Sequence, residues 1–288
     1  MDAATRDVLI DLTRMDILAV SLGLIVFYLL RLISPLDRWS GRGNVYAEPF
    51  GWQELLIVVG LFGLVFFRLQ AGDQPSESSA PTTEPAEGTQ FSSLALLVNC
   101  IFMLGLAGVF LTYLQNFRGI NVAELFGLER LHPTIIFAWS IGILLPTLLV
   151  VLYGTLLFNN AVLLPLWGDV DSQPVVNAFN ESSSFTQRLM FLISAVIVAP
   201  LCEELLFRGL IYGTLKRYGE RIYAALASSI LFAVIHFHVP SLTPLFLLSI
   251  GFCIAYEITG CLWVPIVMHA LFNAINLFRM WNAEGMPL

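Results

Sequence analysis

The chain is 288 residues long, 57% hydrophobic and only 12% charged, with a mean hydropathy of +0.80. Soluble domains carry about 25% charged residues, so the composition excludes an ordinary soluble fold. It points to an all-α, polytopic transmembrane helical bundle. The net charge of −7 argues against a nucleic-acid partner, because a phosphate backbone requires a basic face.

The amino-terminal stretch MDAATRDVLIDLTRMD mixes acids with arginines, and no small-residue cleavage site follows its apolar run, so it does not read as a signal peptide. A membrane helix needs about 20 mainly apolar residues. About eight candidates occur in chain order: 17–33, 54–69, 92–115, 134–158, 186–213, 221–237, 241–258 and 262–279. Between the second and third runs AGDQPSESSAPTTEPAEGTQ, rich in Pro, Ser, Thr and Glu, which predicts a disordered aqueous loop. A second long connection covers 159–185. The expected organisation is therefore an amino-terminal helix pair over 1–70, a linker over 71–91, middle helices and a long loop over 92–185, and a core over 186–288.

The four cysteines, Cys100, Cys202, Cys253 and Cys261, form no CxxC pair and read as small buried hydrophobes. Lys and Arg are denser on the odd-numbered loops (Arg38, Arg42, Arg118, Arg130, Lys216, Arg217, Arg221, with Arg31 near their edge) than on the opposite face (Arg6, Arg14, Arg68, Arg188, Arg279). That asymmetry places the odd loops in the cytoplasm and both termini outside. The expected location is integral and multi-pass, with the cytoplasmic membrane of a prokaryote as the expectation for which membrane.

APLCEELLFRG, residues 199–209, places three charges inside the fifth run. An acid or arginine at a helix centre costs about 2.5–3.5 kcal/mol on insertion scales, and such residues mark functional sites by default. Glu204 and Arg208 are spaced i, i+4 and share a helix face, so each neutralises the other. Glu203 is turned by about 100° and is left without that partner. The bland alternative for Glu203 is a protonated, hydrogen-bonded core carboxyl. Within a helix, Pro200 removes the bond to residue 196 and opens space before the acids.

Two further polar islands follow. In FAVIHFHVP, Phe232 and His236 share a face, and His238 points elsewhere beside Pro240. Measured from a hairpin turn near 219–220, both Glu203/Glu204 and His236 lie about 16 residues, or roughly 24 Å, deep. A carboxylate and an imidazole at matched depth on antiparallel helices can meet. In MHALFNAIN, His269 and Asn273 are spaced i, i+4, and Asn276 reads as packing. From a turn near Gly260, His269 is only about nine residues deep, so this helix must tilt or the site must extend along the bundle. Glu257 reads as interfacial, with a supporting role as the alternative.

A glutamate, two histidines and an asparagine on three helices suit water activation at a carbonyl, with imidazole and amide donors for the oxyanion. Cys202 sits beside an acid and makes a poor nucleophile. A catalytic zinc on Glu203, His236 and His269 is the sharpest rival. Against it, there is no HExxH, and HALFN has Asn where that pattern's second His would stand.

EExxxR at Glu203-Glu204-Arg208, FxxxH at Phe232-His236 and HxxxN at His269-Asn273, in this order, resemble the CAAX-processing and bacteriocin-processing (Abi) family of intramembrane glutamate proteases. The resemblance spans about 186–279. It implies that Glu203 with His236 activates the water, that His269 and Asn273 hold the oxyanion, and that Glu204, Arg208 and Phe232 support the site. It also implies no cofactor and a membrane-anchored peptide or protein substrate in the bilayer, CAAX-type and lipidated in some members. Two other classes stay open: a Glu/His proton-relay transporter, and a non-catalytic scaffold or bacteriocin-immunity protein. The chain shows no inverted repeat with paired broken helices, which weighs against the transporter.

Overall fold

The computed structural model describes residues 43–71, 93–158, 161 and 185–283. The candidate span 17–33, the 71–90 loop beyond Ala71, and most of the 159–185 connection lie outside the described residues, as do Arg6, Arg14, Arg31, Arg38 and Arg42.

Among the described residues the fold is entirely helical. Helix α1 covers Trp52–Ala71, α2 covers Ser93–Thr112 and continues through a π turn at Tyr113–Phe117, and α3 is a short turn, Val122–Leu125. Helix α4 covers Pro133–Phe158, and α5 runs from Phe185 to Tyr218 with wide π turns at Ser194–Val198 and Leu205–Tyr212. Helices α6, α7 and α8 cover Arg221–Val234, Leu242–Thr259 and Trp263–Ala283. Five of these helices are long and apolar enough to cross a membrane, and their outer faces carry exposed Leu, Ile, Val and Phe as lipid requires. The protein is a multi-pass membrane bundle.

Helices α3, α6 and α8 are not among the five, although spans were expected over 221–237 and 262–279, and α6 falls short by length. It stops at Val234 after 14 residues, about 21 Å of rise against a hydrocarbon core of roughly 30 Å. The run expected over 221–237 therefore ends early. Phe237 has left-handed backbone (φ 47°), and His236 Nδ1 is bonded to the Phe232 carbonyl at 2.7 Å. Both features close the helix and leave His236 at its inner end, within the membrane thickness.

All four odd-numbered loops converge on one face. Lys216 Nζ donates to the Val45 carbonyl (3.0 Å), Arg130 to the Asn44 carbonyl (2.8 Å), Asn44 Nδ2 to the Ile258 carbonyl (2.6 Å), and Leu262 N to the Phe126 carbonyl (3.0 Å). Two buried ion pairs fasten the 43–51 segment there. Glu54 accepts from Gly51 N (2.6 Å), Tyr113 Oη (2.7 Å) and Arg118 Nε (2.8 Å). Glu257 accepts from Tyr212 Oη (2.6 Å) and Lys216 Nζ (2.5 Å). Glu257, near the end of α7, thus serves as a structural clasp among these loops. Gly43, at φ +114°, lies so close that a Cβ would collide with Glu257 Oε2.

This plug explains the depth of His269. Gly260 makes a left-handed turn, and Cys261 and Leu262 behind it are fully buried. The α7–α8 turn is recessed under the 43–51 segment, so counting from it as if it lay at the membrane edge understates how deep α8 begins.

Candidate active site

Helix α5 supplies the acids. Arg208 Nη1 donates to Glu204 Oε1 at 3.0 Å, with both side chains fully buried. Arg208 Nη2 donates to the Ser249 carbonyl (3.0 Å) and to Ser249 Oγ (2.8 Å) on α7. The guanidinium is sandwiched between Phe232 and Phe252, 4.9 Å from each ring centre. That arrangement offsets much of the desolvation cost of a buried ion pair.

Glu204 Oε1 has a second donor, His269 Nδ1 at 2.8 Å. An ionised carboxylate only accepts, so Nδ1 carries the hydrogen. The ring's other nitrogen, Nε2, faces Glu203 Oε2 at 4.0 Å. The His269 ring stacks on Phe252 (5.1 Å, 26°) and meets Phe232 edge-on (5.9 Å, 73°). Glu203, unlike Glu204, keeps some exposure (21% of the side chain). The neighbouring acids divide as their rotation on the helix dictates.

His236 lies against the other side of this cluster, its ring 5.1 Å from Phe232. Its Nδ1 must donate, because a backbone carbonyl only accepts, so Nε2 is left as an acceptor. Among the described residues no hydrogen bond or ion pair joins His236 to Glu203. His238 is bonded to Ser241 Oγ at 2.7 Å and belongs to the turn. No group of three His, Cys, Asp or Glu side chains is arranged to hold a metal ion among the described residues.

Asn273 Nδ2 donates to the Ala195 carbonyl at 2.7 Å. The reason lies in α5. At Ser194–Val198 the helix widens, and Ala199 N bonds to Ser194 O, five residues back. In that register residue 200 would donate to Ala195, but Pro200 has no N–H. The carbonyl that the proline frees is therefore residue 195, not residue 196 as an ordinary α-helix implies. Asn273 fills it, and its second amide N–H remains for other use.

Sequence reasoning missed Ser249 and Phe252. Both are one-residue features of an apolar helix, with no charge to flag them.

The comparisons with known proteins meet this geometry in one segment. Residues 185–275 match the family model of Rce1-like type II CAAX prenyl endopeptidases. The likeness to that family rests on this segment. It begins with α5 and ends on α8, and so contains Glu203, Glu204, Arg208, His236, Ser249, His269 and Asn273. The chain is also 34% identical over 85 residues to "Putative membrane peptidase YdiL" of Bacillus subtilis (strain 168), covering 30% of this chain and 34% of that protein. It is 33% identical over 104 residues to "Membrane-embedded CAAX protease MroQ" of Staphylococcus aureus (strain USA300), covering 34% and 42%. An uncharacterized 24.3 kDa protein of Escherichia coli is 29% identical over 144 residues, covering 48% and 62%. The chain thus spans less than two thirds of the length of each of these relatives. No solved structure gives a significant match. The Rce1-like segment is the part of the chain in which the fold and the motif residues coincide.

Proposed function

We propose that the chain is an intramembrane endopeptidase that hydrolyses a peptide bond of a membrane-anchored peptide or protein, with lipidated CAAX-type sequences as candidate substrates. The observation that carries this is the pairing of Glu203 Oε2 with His269 Nε2 across 4.0 Å, with His269 locked from behind by Glu204.

Glu203 takes a proton from water as the water oxygen bonds to the scissile carbonyl carbon. The Nε2 lone pair of His236 accepts the water's other hydrogen and aims its oxygen. The carbonyl oxygen becomes an oxyanion and accepts from a protonated Nε2 of His269 and from the uncommitted N–H of Asn273. Charge stays balanced. Arg208 and His269 offset Glu204 and Glu203 before attack, and when Glu203 is neutralised the oxyanion takes over its charge. Collapse breaks the C–N bond, and Glu203 returns its proton to the leaving amine.

Cleavage of a library of prenylated and unprenylated membrane-anchored peptides by purified protein tests this, with and without chelator. Glu203→Ala should lower turnover by at least about a hundredfold, within the range of a lost general base. Cleavage retained in Glu203→Ala would overturn the assignment. Cleavage abolished by chelator would favour a metal. No cleavage of any peptide by the wild type would favour a scaffold, and Glu203-dependent proton flux in liposomes a relay.

A further inference from the structure

The signature residues lie on α5, α6 and α8, yet the guanidinium that organises them is anchored on α7. Arg208 makes two of its three hydrogen bonds to Ser249, one to the carbonyl and one to the hydroxyl. Phe252, three residues later on the same helical face, covers one side of that guanidinium at 4.9 Å and stacks on His269 at 5.1 Å. Both residues are buried. Gly251, between them, is pressed on Thr147 of α4 so closely that a Cβ would lie 2.4 Å from its methyl. The depth and rotation of α7 are thereby fixed.

We propose that Ser249 and Phe252 are positioning residues for the reaction, holding Arg208 and, through Glu204, the ring of His269. The chain of contacts runs from Ser249 to Arg208, from Arg208 to Glu204 Oε1, and from that oxygen to His269 Nδ1, which leaves Nε2 aimed at Glu203. Among the described residues Arg208 Nε has no hydrogen-bond partner, and neither has Glu204 Oε2, so the pair is held by Ser249 on one side and His269 on the other. Without the Ser249 hydroxyl, Nη2 keeps only the Ser249 carbonyl on α7, and the guanidinium is held by two hydrogen bonds instead of three. A displacement of order 1 Å at a reacting group can cost roughly a hundredfold in rate.

This inference rests on the hydrolase reading for its kinetic consequence but not for its geometry, so two readouts are taken. In detergent-solubilised full-length protein with 15N-labelled histidine, His269 Nδ1–H should give a strongly downfield proton resonance, identified by its loss in His269→Gln. Ser249→Ala and Phe252→Leu should each shift or broaden that resonance while the thermal unfolding midpoint of Ser249→Ala stays close to wild type. On a cleaved peptide, Ser249→Ala should lower kcat about tenfold with KM unchanged, as for a contact made mainly in the transition state, and Ser249→Thr should restore it. An unmoved resonance in Ser249→Ala overturns the positioning role whatever the activity. Should Phe252→Leu fail to fold, Ser249→Ala alone decides. A moved resonance in a protein that cleaves no peptide upholds the geometry and sinks only the hydrolase reading.

Discussion

Glu203 and Glu204 are adjacent, chemically identical and oppositely placed. Glu204 is sealed in with Arg208 and His269, whereas Glu203 reaches an edge that is partly open. Removing one partner of a buried ion pair costs about 3–5 kcal/mol, because the other charge is left uncompensated, whereas replacing both with apolar residues is often close to neutral. Arg208→Leu should therefore unfold the protein at much lower temperature. Glu204→Leu combined with Arg208→Leu should recover most of that loss while leaving turnover abolished, since His269 then has nothing behind it. Thermal midpoints and peptide cleavage on the same preparations check both halves. A double variant no more stable than Arg208→Leu would contradict the pair as the source of the instability. This residue-level division was legible in the sequence, because i, i+4 spacing and the 100° rotation need no tertiary information. Ser249 and Phe252 were not legible, because a serine and a phenylalanine in an apolar helix carry no signal until the partner helix is in place.

At the level of the element, Pro200 shows how far one sequence can be read. Its missing N–H is visible in the sequence, but the carbonyl it frees depends on whether the turn is α or π. The wide turn at Ser194–Val198 moves that carbonyl to Ala195 and sets Asn273 opposite it. Asn273→Ala should leave the carbonyl unsatisfied at a cost of about 1–3 kcal/mol. Pro200→Ala supplies a backbone N–H in the same place. The two changes should then be non-additive: Pro200→Ala should offset part of the stability lost in Asn273→Ala, although both variants turn over more slowly. A double-mutant cycle on unfolding free energy measures this coupling. A coupling indistinguishable from zero would mean that Asn273 and the proline do not share the Ala195 carbonyl. The α6 boundary makes the same point in reverse. Its apolar run continues through Ile235, yet the helix ends at Val234 because the backbone at Phe237 turns left-handed, which hydropathy cannot show.

For the whole molecule, the sequence carries which loops share a face but not what they build. Alternation of spans puts Arg118, Arg130 and Lys216 on one side, and the contacts among Asn44, Val45, Phe126, Arg130, Lys216, Glu257 and Ile258 join those loops into one plug. Two of the three basic residues are neutralised there by Glu54 and Glu257. That does not weaken the orientation argument, since topology follows the count of Lys and Arg rather than net charge. We therefore expect the plug in the cytoplasm. Arg221 at the start of α6 is exposed on the plug face, and Phe185 at the start of α5 is exposed on the opposite one. In a variant lacking the four native cysteines, Phe185→Cys should react with a membrane-impermeant maleimide in intact spheroplasts. Arg221→Cys should react only after lysis. The reverse pattern would put the plug outside, and with it the recessed α7–α8 turn.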